Sequence, residues 1–215
     1  MNQTVLDKLN GLFSNSSVIK YGKGEIMTSA NQEPESISFL LDGVVEQYDI
    51  TPEGNKITVN IFKPPAFFPM SWAINKTTNT YFFATLTDVK IKRLDSDNVV
   101  LFLKNNPEVT FDLLSRVYRG TDALLKRLVL ASSGIASNRL IFELLIEAYR
   151  FSTDQDGNKT LIKVRQSNLA ARSGLARETV SRELHKLEAN GTITFTNGGI
   201  ELNKAELEKL LDFNI

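Results

Sequence analysis

Arg177, Glu178, Ser181 and Arg182 are spaced so that one helix would carry them on a single face. Their chemistry suits the edges of nucleic-acid bases. A guanidinium offers a fork of donors to guanine O6 and N7, and a carboxylate accepts from a base amino group. A plainer reading stays open beside this one. Glu178 and Arg182 stand four apart in the favourable order, as on any solvated surface helix.

The surrounding elements decide how such a face is presented. Gln166 to Ser173 reads as a short helix with Leu169, Ala170 and Ala171 as packing residues. Gly174 follows, where a sharp turn costs least without a Cβ. A second helix has Leu175, Val180, Leu184 and Leu187 on its apolar side. Ala189-Asn190-Gly191 is a helix stop, and Thr192–Thr196 alternates like a strand. Asn197-Gly198-Gly199 is a hairpin turn, and Ile200-Glu201-Leu202 returns. A last helix begins at Asn203, with Glu206 at capping-box spacing. Together these make a winged helix-turn-helix. Between Lys159 and Lys186 lie seven basic residues, Lys159, Lys163, Arg165, Arg172, Arg177, Arg182 and Lys186, against only Glu178 and Glu183. On a chain of formal net charge zero, that local excess is the expected footprint of phosphate contact, although clusters of this size also arise by chance.

RETVSRELHKLE, the glycine before it, the wing and the terminal helix resemble the Crp/Fnr family of bacterial transcription regulators. The resemblance implies that Arg177, Glu178 and Arg182 read base edges, with Ser181 beside them in the Glu-x-x-Ser-Arg pattern of the Fnr branch. It implies that Thr179 touches phosphate, and Gln166, Ser167 and Lys186 are expected on the DNA backbone with it. Ala176 departs from the family, which often has serine or threonine there. The implied partners are a second copy of the chain, double-stranded DNA with a palindromic operator containing TGA half-sites, and RNA polymerase.

From Val18 to Leu94 the pattern is short strands broken by turns, at Gly22–Glu25, Asp42-Gly43 and Thr51–Asn55. Strands are expected at Ile37–Leu41, Val44–Tyr48, Ile57–Phe62, Tyr81–Leu86 and Val89–Leu94. Many short strands argue for a sandwich or barrel. Their order resembles the family's cyclic-nucleotide-binding-type β jelly roll. In cyclic-nucleotide binders of the family, a Gly-Glu pair holds the ribose and a later arginine holds the phosphate. Here Pro69-Met70 replaces Gly-Glu, and no arginine or lysine lies between Lys76 and Lys90. A phosphate without a cation would be a desolvated charge, so cyclic AMP and cyclic GMP are not expected ligands. Phe67, Phe68, Met70, Trp72, Phe82 and Phe83 form an apolar set instead. They either fill the barrel or line a pocket for an apolar effector.

Asn105-Asn106-Pro107 opens a long helix running to about Ser132. Leu114, Tyr118, Thr121, Leu125 and Leu128 are a candidate dimer seam at a/d spacing, with Phe111 continuing it. Leu113, Val117, Leu124 and Ala131 form a second stripe, expected against the barrel. Such a helix can equally be buried inside one domain. Helix-turn-helix readers usually act as symmetric dimers, and the family dimerises through this helix, which favours the seam. Ser133-Gly134 is a hinge, and Ala136–Phe151 a helix with Leu140, Leu144, Leu145 and Ala148 inward.

The resulting fold class is α+β, with a sensor-type barrel over 1–106, a dimerisation helix and hinge over 107–134, and a winged helix-turn-helix over 135–215. The chain has no cysteine and one histidine, His185 within the recognition helix. That leaves no thiol chemistry, cysteine-ligated cluster, haem or histidine metal site to expect, and no cofactor. Asp154–Gly157 lacks the ligand pattern of a calcium loop and reads as a surface turn. The opening MNQTVLDKLNGLF is not a signal peptide, and no stretch approaches the roughly 20 apolar residues of a membrane span, so a cytoplasmic location is expected. The reading is a non-enzymatic DNA-binding regulator. Its alternatives are a constitutive regulator of the same fold, or a cupin-like enzyme, which the histidine count disfavours.

Overall fold

A computed structural model describes residues 3–151 and 159–211. The Asp154–Gly157 turn lies outside them. The chain divides into two compact units, Met1–Gly120 and Thr121–Ile215, and each is described by itself.

The first unit holds two four-stranded antiparallel sheets. Its strands are β1 (Ile19–Tyr21), β2 (Ile26–Thr28), β3 (Ile37–Asp42), β4 (Val45–Ile50), β5 (Lys56–Phe62), β6 (Ala66–Phe68), β7 (Phe82–Thr85) and β8 (Val89–Leu94). One sheet has the order β1-β8-β3-β6 and the other β2-β7-β4-β5. Alternation along the strands makes two apolar cores. Leu40, Val45, Ala66, Phe68, Phe83, Val89 and Ile91 point between the sheets. Their neighbours Ile37, Phe39 and Phe67 point out of the first sheet, where helices cover them. Those helices are α1 (Gln3–Leu12), α2 (Met70–Asn75), α3 (Ser96–Asn105) and the start of α4 (Pro107–Ser133). Val5, Leu9, Ala73, Val99, Leu103 and Val109 are their buried contributions. Rings of Phe13, Phe39 and Phe67 run through this layer at centroid separations of 4.8 and 5.1 Å. Gly43 turns the chain between β3 and β4 with φ 89, and a Cβ there would lie 2.2 Å from the Asp88 carbonyl oxygen.

α4 starts at Pro107 as its sequence predicts. Arg116 ties it to the barrel by donating to the Pro65 carbonyl, 2.6 Å away. The seam residues Leu114, Tyr118, Leu125 and Leu128 are all exposed, as is Phe111 at 73%. The second stripe corrects its expectation. Only Leu113 packs on the barrel unit's core, whereas Val117, Leu124 and Ala131 are exposed.

The second unit has α5 (Ala136–Phe151), β9 (Lys159–Ile162), α6 (Gln166–Ser173), α7 (Arg177–Ala189), β10 (Ile193–Thr196), β11 (Gly199–Asn203) and α8 (Lys204–Leu210). Its sheet has the order β10-β11-β9. Leu140, Leu144, Leu145 and Ala148 of α5 form the centre of the core, with Leu169, Val180, Leu184, Ile200 and Leu207 around them. Arg127 of α4 forks onto Glu143 of α5, with Nη2 2.9 Å from Oε2, and so spans the Ser133-Gly134 bend. Asn203 caps α8 through its side chain, which accepts from the Glu206 amide.

Candidate nucleic-acid interface

α6 ends at Gly174, whose φ of 62 places it in the left-handed region. Its amide donates to the Ala170 carbonyl, closing the helix. Two residues later α7 begins. Ala176 is its N-cap and supplies no side-chain hydrogen bond, as its departure from the family pattern implied.

α7 has two sides. Val180, Leu184 and Leu187 are buried in the core. Arg177, Glu178 and Arg182 project away from it and are exposed, with Ser181 and Thr179 partly so. The four proposed base readers therefore do share one accessible face. Of the proposed backbone contacts, Ser167 and Lys186 are exposed and Gln166 is half-exposed at the start of α6. The wing follows directly: β10 and β11 pair as a hairpin from Ile193↔Leu202 to Thr196↔Gly199. His185 meets Phe195 of the wing edge-on, at 5.7 Å between centroids.

Three polar contacts that hold this face were not anticipated. Arg139 of α5 donates through Nε to the Ser173 carbonyl (2.9 Å) and through Nη2 to the Gly174 carbonyl (2.8 Å). It thereby satisfies carbonyls freed at the end of α6 and fixes the turn between the two helices. Arg172 pairs with Glu147 of α5, both buried. This corrects the basic footprint: Arg172 belongs to the interior, and the exposed cations are Lys159, Lys163, Arg165, Arg177, Arg182 and Lys186. Lys159 is held by Glu201 at 2.9 Å, and that hydrogen bond raises its pKa. The third contact is Glu183, buried beneath the recognition face. It accepts from Lys186 at 2.8 Å and lies 3.6 Å from the Arg182 Nε. The Arg139 and Arg172 contacts could not be found from spacing, because each joins residues brought together by helix packing, whereas Glu183 and Lys186 stand three apart on one helix and only the burial of Glu183 depends on the fold.

In the barrel the structure separates the six expected pocket residues. Phe68 and Phe83 face the interior and stack at 5.3 Å. Phe67, Met70 and Trp72 turn outward into the helix-covered layer. Phe82 lies on the outer face of the second sheet, stacked on Tyr48 at 5.1 Å. The reason is the strand period of two: adjacent aromatics on β6 and on β7 must point to opposite faces. Among the described residues, no His/Asp/Glu cluster could hold a metal ion, and no helix is long and apolar enough to cross a membrane.

Comparison with known proteins agrees with this arrangement. Residues 18–106 match the profile of the cyclic nucleotide-binding domain, and residues 138–210 match that of the Crp-like helix-turn-helix domain. The chain belongs to the Crp/Fnr family. It is a DNA-binding transcription regulator of that family. The transcriptional regulator SdrP of Thermus thermophilus is 26% identical over 163 residues, covering 76% of this chain and 77% of that protein. The cyclic AMP receptor protein of the same organism is 23% identical over 195 residues, covering 91% and 88%. In fold, this Crp/Fnr regulator is similar to a CooA mutant from Carboxydothermus hydrogenoformans, with a TM-score of 0.81 at 20% identity over 99% of this chain and 97% of that one.

Proposed function

We propose that this regulator acts as a homodimer in the cytoplasm, inserting α7 into the major groove of a palindromic operator and working with RNA polymerase rather than as an enzyme. The observation that carries the reading is the division of α7. Its apolar side is locked into the core while Arg177, Glu178, Ser181 and Arg182 form one continuous accessible face. Base edges in the major groove present the acceptors and donors these groups need. Thr179, Gln166, Ser167 and Lys186 stand around that face, where phosphate contacts set register. The dimer rests on the exposed apolar row Leu114, Tyr118, Leu125 and Leu128, with Thr121 among them. A second copy of α4 would cover it, and a two-fold dimer gives two recognition helices about one turn of DNA apart. The barrel takes an effector other than a cyclic nucleotide, since Pro69-Met70 offers no ribose acceptor.

Selection from a random duplex library tests the reading. The expected product is a palindrome with TGA-containing half-sites whose centres are about 34–36 Å apart, or 10–10.5 base pairs. Recovery of unrelated sequences with no symmetry would overturn it.

A further inference from the structure

His185 is the only histidine in the chain, and it stands on the exposed side of α7. It follows Glu178 by about two helical turns, so the two side chains lie nearly in line, with Ser181 and Arg182 between them. His185 therefore continues the reading face by one turn towards the helix C-terminus. The rise from Glu178 is about 10 Å along the axis, close to the roughly 12 Å width of a major groove. With Arg177 and Glu178 among the bases, His185 falls at the edge of the groove, where the backbone phosphates run.

Two contacts hold the ring there. Phe195 of the wing meets it edge-on, and Phe195 is itself packed against the core of the winged domain. Glu188, one turn on, lies 3.4 Å from Nδ1. The imidazole is otherwise open, with 66% of its side chain exposed. The remaining charges near it have partners of their own. Arg182 and Lys186 both lie beside Glu183. β10 carries no titratable residue, and Glu201 next to it on β11 is held by Lys159. α5 and α6 pack on the opposite, apolar side of α7, where Arg172 and Glu147 are paired. Glu188 is thus the charged partner of the ring within the protein. Once the ring is protonated both nitrogens donate, Nδ1 towards Glu188 and Nε2 outward.

We propose that His185 is a further DNA-binding residue, whose imidazolium donates to a backbone phosphate at the groove edge and makes operator affinity fall as pH rises through neutrality. An imidazole titrates near pH 6.5, and an adjacent phosphate favours its charged form. The proton is therefore held more tightly on DNA than off it. Such a group strengthens binding in full below its midpoint in the free protein, and the gain is lost as pH rises through its midpoint in the complex. Carboxylates, lysines and arginines ordinarily titrate well outside this window, so one side chain sets the response. The proposal rests on the insertion of α7 into DNA, to which it adds a phosphate contact and a pH window.

The test is fluorescence anisotropy of the untagged full-length protein with the operator recovered by selection and with a random-sequence duplex, each over a salt series. Between about pH 6 and about pH 8 the operator affinity of the dimer is expected to fall about tenfold. The plot of log affinity against log salt should be steeper at the lower pH by about one for each protomer bound. His185→Gln should show the wild-type high-pH affinity at both pH values, and His185→Lys the low-pH affinity and steep slope at both. The single histidine also gives one set of imidazole signals in nuclear magnetic resonance, whose titration midpoint should move to higher pH when duplex is added. An unmoved midpoint, equal salt slopes at the two pH values, or a pH dependence that persists in His185→Gln would overturn the proposal. Should the variants disturb the wing, the imidazole signals of the wild-type protein decide alone. A protein that binds duplex with none of these pH effects loses the His185 contact and keeps its DNA-reading role. One that binds no duplex at either pH loses both.

Discussion

Arg182 and Glu178 carry the sequence-reading claim, and their surroundings differ. Glu178 is exposed at the first turn of α7, where a negative charge also favours the helix N-terminus. Arg182 is tethered near Glu183, which is buried and shared with Lys186. Glu183 therefore holds two cations in a limited range before DNA arrives. Arg182→Ala and Glu178→Ala should each cost about 1–3 kcal/mol on the preferred operator and relax choice at a single base pair. Competition binding with operators altered one pair at a time reads this directly, and a uniform loss across all sequences would reassign either residue to the phosphates. The base-reading set was legible from spacing because all four residues lie within six positions on one helix. Arg139 was not legible. It takes its role from Ser173, a partner far along the chain. The charge on Arg172 was visible, but its burial against Glu147 depends on how α5 meets α6.

Elements with a strong period were readable to within a residue or two. α5, α6, α7 and the wing hairpin all stand where apolar spacing and turn residues placed them. Shorter or less periodic pieces were missed: α1, α2, α3, the three-residue β1, β2 and β6, and the four-residue β9. β9 is an edge strand that exists because β11 supplies its partner, from Ile200↔Ile162 to Asn203↔Lys159. Nothing in four residues signals that. α4 shows the opposite case, where the pattern was plain and its interpretation split. Its seam residues are exposed in a single chain, and its second stripe is exposed beyond Leu113. Leu125→Lys together with Leu128→Lys should give a folded monomer by sedimentation and abolish operator binding, because charges cannot enter an apolar seam unpaired. A double variant that remains a dimer would place the interface elsewhere.

At the scale of the molecule, the fold class, the order of barrel, long helix and winged domain, and the family were all legible, since each follows from a succession of elements rather than from any one contact. The pocket was not. Phe67 and Phe68, like Phe82 and Phe83, are neighbours in sequence and so point to opposite faces of their sheets, which the run of aromatic residues does not reveal. With Pro69-Met70 in place of a ribose acceptor and no arginine or lysine between Lys76 and Lys90, a cyclic-nucleotide site is not expected. Calorimetry with cyclic AMP and cyclic GMP should be flat at millimolar ligand, which corresponds to binding weaker than about −4 kcal/mol. Micromolar heat with either would require a different set of contacts in the barrel.

The buried Glu147–Arg172 pair constrains how this protein can change over generations. Arg172 cannot be exchanged alone for an apolar residue without stranding the Glu147 carboxylate inside the winged domain, at about 3–5 kcal/mol. Exchanging both together for a well-packed apolar pair is neutral or stabilising by the same physics. The two positions are therefore inherited as one allele, and the route between the ionic and the apolar versions crosses a valley that single steps do not pass. Thermal unfolding of Glu147→Leu, Arg172→Leu and the double variant should show the deepest loss for Arg172→Leu and a recovery from it in the double variant. Additive losses would mean that the two sites evolve independently.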